Sequence, residues 1–585
     1  MKLSNELCLI MTSDEKLWPK KKNVVFLGDW CKYYNRKHIW KKLKAVDAKP
    51  FIVSKKQFLV DHKYVNNIYE IILSRLVNIL NKIHNKTFKK KDWESLVGHW
   101  LKRFLIVYFN RYKTIKLCLK NYNIDNVCFY PKNSFSLTTR NLEEFTNACN
   151  DPTWNAVFWQ IIFLNLKHNI CKINYVEKPE KSKISISTKS SKKLSIRRIL
   201  ENLSGYFSKN SKFMIIDSYL PKLFSFYLCI SLRIFPQLWN KSNKEIKSTE
   251  NKNMREKLND LISSKTDDEF LKICTQILSK CIPISYLEGL KEIELNAEKR
   301  NFPKDPKVIF TSNAFFSDEE FKYWVINQRK KKVKYIIGQH GSNYGIERFH
   351  HPRLEEEIPD QFITWGENIY SKNVISGFVF TAPKNKIIKY NTKGNILLVE
   401  LSPPFHIYHH DEFFRYKNYF KNQIKFFNHL DENQKKNVVI RLPGLSKKLH
   451  FNEIEKWKAI NKNIRIDDFS CPIKEAISNS KIVVFSYFST GFLECMCQNI
   501  PTIGFWNEPL YNVLKNSKND FKKLMDANIL HGDYKSASSH LNYISLNIDD
   551  WWYSDQVQQA RNMFIKKYAS IKKNPIRFLK NVIQY

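Results

Sequence analysis

The chain has 585 residues, of which 43% are hydrophobic and 14% aromatic, enough for large packed cores, so a chain disordered throughout is excluded. Its 97 Lys and Arg residues against 56 Asp and Glu residues give a formal net charge of +41. That charge favours anionic partners such as nucleic acid, acidic lipid or phosphate-bearing substrates, although a Lys-rich solvated surface explains it equally well. The 12 cysteines include no CxxC pair, so neither a metal cage nor a disulfide framework is predicted.

The start of the chain and its most apolar window indicate the compartment. Residues 1–19 contain no basic region followed by an apolar stretch, so no signal peptide is predicted. Residues 213–238 are interrupted by charged side chains and by Pro221, and they fall short of the ~20 apolar residues that span a bilayer. We therefore expect a cytoplasmic protein that is either soluble or peripheral on the anionic inner face of the cytoplasmic membrane.

Short apolar stretches alternate with longer amphipathic ones through the first half of the chain. Strands are predicted at residues 23–27, 126–130, 212–217, 308–310 and 334–337. Helices, with apolar residues three and four apart, are predicted at residues 64–83, 93–119, 154–166 and 318–330. The last two strands and the helix between them form a βαβ pattern, which is typical of a parallel sheet.

The second half alternates more regularly. Strands are predicted at residues 394–399, 438–440, 464–466, 481–485 and 501–505, with helices at residues 412–429, 472–479 and 491–497. This order predicts a doubly wound parallel sheet. We place a domain boundary near residue 385, which gives an N-terminal domain of residues 1–384 and a C-terminal domain of residues 385–585.

The clearest chemical pattern is the turn between the strand at residues 481–485 and the following helix. Ser489 and Thr490 suit the cap of a helix, and Gly491 lets a ligand approach the backbone. Free N–H groups and the helix dipole at such a start attract anions. Glu494, one turn into the helix, is placed to reach a ribose hydroxyl. An ordinary strand–helix crossover with a capped helix explains the same residues equally well.

A second pattern, GQHGS, ends the strand at residues 334–337. Within it His340 stands between glycines at the carboxyl end of a strand, where open α/β sheets bind ligands. Histidine titrates near neutral pH, so this side chain suits removal of a proton from an acceptor hydroxyl. Gly341 and Ser342 beside it are secondary candidates. The alternative is a packed loop histidine.

Three further residues are candidates with strong structural alternatives. Asp29 follows the first strand and is either a general base on the acceptor side or a helix cap. His99 lies in a helical pattern, where it either faces a cleft or packs in the core. Arg441 follows a buried strand and either neutralises donor phosphate or is solvated.

Residues 484–505, VFSYFSTGFLECMCQNIPTIGF, resemble the donor-nucleotide site of GT-B glycosyltransferases. In that group the Ser/Thr-Gly turn binds the donor phosphates and the Glu binds the ribose. The resemblance implies these roles for the turn at residues 489–491 and for Glu494. The tripeptide ending at Pro501 departs from the more usual Gly-x-Pro of the group.

The stretch around His340 and the downstream residues 364–366 resemble capsule-type and CDP-glycerol-type transferases, in which a QHG or WHG element supplies a catalytic His. The resemblance implies a catalytic role for His340. His351 stands in a His-Pro pair similar to that of some sialic-acid and Kdo transferases, which implies a secondary role at the donor phosphate. No metal site is predicted, since these histidines lack a suitably spaced carboxylate.

Nearly the whole chain resembles a family of transferases found with bacterial surface-carbohydrate and O-antigen genes, with markers at residues 26–30, 98–101, 140–141, 150–154 and 235–237. The resemblance implies an α/β fold of GT-B type, with two Rossmann-like domains facing a cleft and helical insertions in the first. It implies a metal-independent glycosyltransferase without a cofactor. Its donor would be CMP-, UDP- or CDP-linked, and its acceptor a surface glycan or lipid-linked molecule of lipopolysaccharide or capsule biosynthesis.

Three other functions remain open. A sugar-nucleotide 2-epimerase has the same two-domain fold and converts its donor with no acceptor present. A basic nucleic-acid-binding protein would explain the charge, but it needs basic and aromatic residues interleaved on one surface, so we expect no nucleic-acid partner. A nonenzymatic scaffold would bind no nucleotide.

Overall fold

Three parallel sheets organise the protein in the computed structural model, and together they confirm the predicted α/β fold. The structure describes residues 7–20, 23–51, 54–166, 172–179, 203–238, 246–263, 268–348, 353–382, 390–401, 416–444 and 452–584. The first half of the chain supplies two of the sheets and the second half supplies the third.

Sheet 1 contains five parallel strands in the order β3-β2-β1-β4-β5. They are β1 (Cys8–Ile10), β2 (Asn23–Phe26), β3 (Lys44–Asp47), β4 (Asn126–Phe129) and β5 (Lys172–Tyr175). The inner strands β1 and β4 are buried at every residue, whereas the edge strands β3 and β5 are largely exposed.

Helices cover sheet 1 and extend away from it. They are α1 (Lys37–Trp40), α2 (Lys55–His84), α3 (Lys90–Asn121), α4 (Leu142–Ala148) and α5 (Pro152–Asn165). Helices α2 and α3 pack along each other, and α3 also packs against α5. Helix α5 begins as its sequence predicts, because the side chain of Asp151 accepts a hydrogen bond from Trp154 N just before a proline at the first helical position.

Sheet 2 contains five parallel strands in the order β10-β9-β8-β7-β6. They are β6 (Phe213–Ile215), β7 (Val308–Thr311), β8 (Lys334–Gly338), β9 (Gln361–Ile363) and β10 (Val374–Ile375). The helices of this region are α6 (Lys222–Ser231), α7 (Lys252–Ile262), α8 (Glu269–Cys281), α9 (Leu290–Lys299), α10 (Ala314–Ser317), α11 (Glu319–Lys330) and α12 (Leu354–Glu357).

Sheet 3 contains six parallel strands in the order β13-β12-β11-β14-β15-β16. They are β11 (Asn395–Val399), β12 (Val438–Arg441), β13 (Arg465–Asp467), β14 (Ser480–Phe485), β15 (Thr502–Phe505) and β16 (Leu530–His531). The chain runs outward from β11 to β13 and then returns to the other side at β14, so the order reverses between β11 and β14. Doubly wound sheets bind ligands at the carboxyl ends beside such a reversal.

The helices that follow within the second half are α13 (Tyr416–Asn428), α14 (Glu432–Lys435), α15 (Glu453–Ile460), α16 (Ile473–Ser478), α17 (Thr490–Cys497), α18 (Lys518–Asp526), α19 (Tyr534–Ile544), α20 (Ile548–Trp552), α21 (Asp555–Tyr568) and α22 (Pro575–Gln584). Helix α22 packs against α6 and β7 of the sheet 2 region. The end of the chain therefore returns to the first half.

Sheets 2 and 3 share one apolar core, in which Phe310 and Ile336 belong to the same buried cluster as Val399 and Val483. The return of the chain adds backbone hydrogen bonds, from Val379 N to Ser570 O at 2.9 Å among others. The boundary near residue 385 stays a prediction, since residues 383–389 lie outside the described ranges.

Gly366 shows how closely the returning chain approaches sheet 2. A Cβ atom at this position would lie 2.2 Å from the carbonyl oxygen of Lys567, a backbone atom that cannot rotate away. We expect Gly366→Ala to destabilise the fold by about 1–3 kcal/mol, the usual cost of overpacking, seen as a lower midpoint of urea unfolding. The control is Gly532→Ala, whose new Cβ would meet atoms no closer than 3.9 Å and should leave the midpoint unchanged. Equal midpoints for Gly366→Ala and wild type would contradict this close approach.

Candidate functional site

A cavity of about 790 Å³ opens where the carboxyl ends of sheets 2 and 3 face each other. Sheet 2 contributes Ser342 and Asn343, which follow β8. Sheet 3 contributes residues 486–491 after β14 and residues 505–509 at the end of β15. The predicted cleft between two Rossmann-like sheets is therefore confirmed, and it lies beside the strand-order reversal of sheet 3.

The turn at residues 489–491 begins helix α17 as the sequence predicts. Ser489 Oγ accepts a hydrogen bond from Phe492 N at 3.2 Å and so caps the helix. A Cβ at Gly491 would lie 3.0 Å from the ring of Phe485, a tight contact that glycine avoids. The first N–H groups of a helix lack intrahelical partners, so this turn presents donors and a positive dipole end to the cavity that it lines.

The two sequence motifs meet directly. Ser342 N donates to Thr490 Oγ1 at 3.1 Å, across a sequence separation of 148 residues. A Cβ at Gly341 would lie 3.5 Å from the same hydroxyl oxygen, an ordinary van der Waals distance, so the loop after β8 lies against the helix start. The histidine motif and the Ser-Thr-Gly turn therefore belong to one site.

His340 is enclosed by aromatic rings, with Phe315, Tyr219 and Tyr344 within 6.0 Å between ring centroids. Burial lowers the pKa of the imidazole to about 4, although the carboxylate of Glu355 opposes this shift. The ring is therefore neutral at pH 7 and able to accept a proton. The described cavity lining begins two residues further on, at Ser342.

A buried hydrogen-bond chain holds this imidazole. Tyr344 donates its hydroxyl proton to Glu355 Oε1 at 2.8 Å, so its oxygen is left to accept from His340 Nδ1 at 3.0 Å. Burial raises the pKa of Glu355, but the His99 imidazole and the Arg353 guanidinium outweigh it and lower the pKa to about 2. An ionised carboxylate thus anchors the chain.

His99 lies on the other side of Glu355, with Nδ1 4.0 Å from Oε2 of that carboxylate. Its ring stacks on Phe315 and meets Phe316 edge-on, and burial lowers its pKa to about 4. The structure places His99 in packed interior and outside the described cavity lining. It reaches His340 through Glu355 rather than through the cleft.

Two predicted donor ligands are engaged by neighbours and lie outside the described cavity lining. Glu494 accepts a hydrogen bond from Thr381 Oγ1, and burial raises the pKa of its carboxyl. Arg441 is buried, where its guanidinium pairs with Asp467 and donates to Cys471 O at 2.9 Å. Each of these two side chains therefore already has a protein partner that a donor would have to displace.

Asp29 lies on sheet 1 rather than at the cavity. It is the first residue of a short 3₁₀ helix, Asp29–Cys31, and its carboxylate is 3.3 Å from Lys32 Nζ. Lys456 of α15 approaches this edge of sheet 1, with its Nζ 5.0 Å from the ring centre of Tyr34. Asp29 therefore stands where sheet 1 meets the sheet 3 region.

Sequence reasoning missed several polar residues at the carboxyl end of β11. Tyr419 OH lies 2.5 Å from Ser486 Oγ and accepts from Leu401 N at 2.6 Å, and all three residues line the cavity. Glu400 lies beside them and accepts from Trp457 Nε1 at 3.2 Å, and burial raises its pKa to about 8. The strand-end position of Glu400 was the available signal, since residues 394–399 are predicted as a strand.

Some predictions lie beyond these observations. His351 is outside the described residues. Within the described ranges, no three His, Cys, Asp or Glu side chains are grouped as a metal ion would require. Across the same part of the chain, no helix combines the length and apolar content that crossing a membrane needs.

Residues 7–583 match the family described as LIC12162 family transferase. Curated proteins give no match. Among solved structures, a variant of the wall teichoic acid polymerase TagF soaked with CDPG has 10% identity and a TM-score of 0.32, with 67% of this chain and 93% of that one covered. MurG of Acinetobacter baumannii has 10% identity and a TM-score of 0.30, covering 51% and 78%. The spinosyn rhamnosyltransferase SpnG with thymidine diphosphate has 11% identity and a TM-score of 0.29, covering 50% and 76%.

Burial of His340 makes the stability of the fold depend on pH. The unfolded chain holds this imidazole near its ordinary pKa of 6.5, whereas the folded protein holds it at about 4. The unfolded state therefore binds more protons as the pH falls from 6.5 to 4, and the free energy of unfolding decreases. We expect His340→Gln to remove up to roughly 3 kcal/mol of that decrease, measured by urea unfolding across this pH range.

The matched control is His38→Gln, at an exposed position. It should reproduce the pH dependence of the wild type. A His340→Gln protein with the wild-type slope would show that the imidazole is not buried as described.

Proposed function

Because the chain belongs to the LIC12162 family of transferases, we propose that it is a glycosyltransferase. In this proposal it moves a sugar, or a polyol phosphate, from a nucleotide-activated donor to a bacterial surface-polysaccharide acceptor. One observation carries the proposal: the hydrogen bond from Ser342 N to Thr490 Oγ1 joins the loop that carries His340 to the helix start that we assign to the donor phosphates. The cavity volume of about 790 Å³ suits a ligand the size of a nucleotide sugar.

The donor phosphates are assigned to the start of α17. Its free N–H groups and dipole stabilise negative charge, which grows on the phosphate as the sugar leaves. Glu494, one turn further on, is assigned to the ribose. To bind it, the carboxylate would give up its hydrogen bond from Thr381 and accept one from a ribose hydroxyl instead. Arg441 receives a lesser role, since a phosphate would have to compete with Asp467 for its guanidinium.

The acceptor is assigned to the sheet 2 side. His340 is neutral and held by Tyr344, so it can take a proton from an acceptor hydroxyl as the new bond forms. Proton removal then comes from the sheet 2 side and charge stabilisation from the sheet 3 side, and holding both reactants in register supplies the remaining rate gain. Asp29 remains a proposed second base that would act from sheet 1.

The proposal is tested by ligand stabilisation. CMP-, UDP- and CDP-sugars are screened by thermal shift, and the true donor at about 100-fold above its Kd should stabilise the fold by roughly 2.7 kcal/mol. We expect Glu494→Ala to lose this shift because the ribose contact is gone. His340→Ala should keep the shift but lose turnover.

The control for charge is Glu432→Ala, whose side chain is 80% exposed on sheet 3 and which should keep both shift and turnover. Loss of the shift in His340→Ala but not in Glu494→Ala would overturn the assignment of the two walls. Conversion of the donor with no acceptor present would favour the epimerase, and a screen without any shift would favour a scaffold.

We also propose that transfer needs no metal, with the N–H groups of α17 taking the place of a cation at the phosphates. Turnover should then be unchanged after dialysis against EDTA and after addition of Mg²⁺ or Mn²⁺. The assay uses the donor identified by thermal shift. Loss of turnover in EDTA that Mg²⁺ restores would refute this part of the proposal.

A further inference from the structure

Helix α6 (Lys222–Ser231) exposes the face that such a helix normally buries. Leu223, Phe226, Tyr227 and Ile230 stand at positions i, i+3, i+4 and i+7, so they form one stripe. Their exposed fractions are 67%, 46%, 54% and 54%. Leu228 and Cys229 on the opposite side are buried, where α6 packs against α22.

A second group of exposed apolar side chains stands on the same edge of sheet 2. It comes from two segments, residues 203–208 and residues 235–238. The hydroxyl of Ser204 connects them, since it donates to Pro236 O at 2.8 Å and accepts from Leu238 N at 2.9 Å. The rings of Phe207 and Phe235 meet at 5.1 Å. The side chain of Gln237 donates to Phe213 O and accepts from Ile215 N on the outer edge of β6. These bonds hold the second group beside β6, the strand that precedes α6 in the chain.

Exposed cations accompany these apolar groups in the same segment of the chain. Residues 203–238 contain four basic side chains, Lys209, Lys212, Lys222 and Arg233, all of them exposed. The same range has a single carboxylate, Asp217, which is partly buried and whose pKa burial raises to about 6. Neighbouring apolar side chains that stay exposed on a soluble protein commonly mark a binding surface.

We propose that this surface, residues 203–238 at the β6 edge, docks onto an anionic lipid bilayer, with α6 lying in the interface plane. An exposed apolar stripe bordered by Lys and Arg is the composition of interfacial helices, which insert side chains among lipids while the cations meet anionic headgroups. The net charge of +41 belongs to the whole chain and adds long-range attraction between the protein and an anionic bilayer. A protein partner would need no excess of cations around the stripe.

The docking surface adjoins the proposed acceptor side. Tyr219 lies three residues before α6, and its ring meets that of His340 at 5.7 Å. Ser218 O accepts a hydrogen bond from Ser312 Oγ at 3.0 Å, which joins the end of β6 to the end of β7. Docking therefore brings His340 near the membrane surface and favours a lipid-linked acceptor, a consequence that rests on the proposed function, whereas the docking itself does not.

Vesicle binding tests the docking with the full chain. The protein is sedimented with phosphatidylcholine vesicles that contain or lack phosphatidylglycerol, and we expect binding only to the anionic ones. Leu223→Ser with Phe226→Ser should weaken binding at least about tenfold. A tenfold change is a smaller free energy than burial of one large apolar side chain contributes, so the loss of two partly inserted side chains should reach it. Lys222→Gln and Arg233→Gln should each weaken it by roughly fivefold, and less so in high salt.

Matched controls come from exposed positions elsewhere. Tyr543→Ser with Leu546→Ser removes apolar side chains that are 86% and 98% exposed, and Lys518→Gln with Lys522→Gln removes two exposed charges on α18. All four substitutions should leave vesicle binding within twofold of wild type. The proposal would be overturned if control and test variants lost vesicle binding equally. It would also be overturned if the wild-type protein did not bind anionic vesicles.

Two measurements separate the remaining outcomes. Sedimentation velocity without lipid detects self-association, and a dimer that Leu223→Ser with Phe226→Ser abolishes would assign the surface to a second copy instead of a bilayer. The same variant should keep the donor-induced thermal shift of wild type, which shows that it is folded. Vesicle binding without any donor shift would leave the docking intact and refute the glycosyltransferase.

Discussion

The hydrogen bond between Ser342 N and Thr490 Oγ1 connects the two halves of the site. It joins a loop at the end of β8 to the start of α17, and each belongs to a different sheet. A second crossing, from Leu514 N to Ile346 O at 2.7 Å, closes the same cavity further along the loop. The loop that carries the histidine is thus held to the sheet 3 side by one bond to the Thr490 side chain and one bond between backbone groups.

The buried charge beside His340 imposes a further constraint. A carboxylate inside a protein is stable only when it is paired and hydrogen-bonded, and Glu355 meets this requirement through the Tyr344 hydroxyl and the charge of Arg353, while the neutral ring of His99 lies 4.0 Å away. These three side chains come from α3, from the loop after β8 and from the start of α12, so the packing around one charge brings three segments together. The orientation of His340 follows from that packing.

Regular periodicity explains which parts were predictable. Strands of the second half are apolar at nearly every residue and are separated by capped helices, so their order and the strand-end turn at residues 489–491 were readable. The short strands β1 and β10 carry too few residues for a period, and β3 and β5 are largely exposed edges. The sequence therefore hid the fact that the first half supplies two sheets. The hydrogen bond from Tyr344 to Glu355 depends on the path of the segment between β8 and α12, which the spacing of residues in the sequence does not predict.

The returning chain gives the cleft a second point of fixation. Backbone groups of α21 and the segment after it bond to residues 365–379 of the sheet 2 region. Sheet 3 is thus held to sheet 2 by the shared core, by the returning segment and by the loop at Ser342. These contacts are spread over separate parts of the interface between the two sheets. If donor and acceptor bind on the two sides of this cleft as proposed, the fold itself would position them, and the proposed chemistry would need one base and one anion-stabilising helix start.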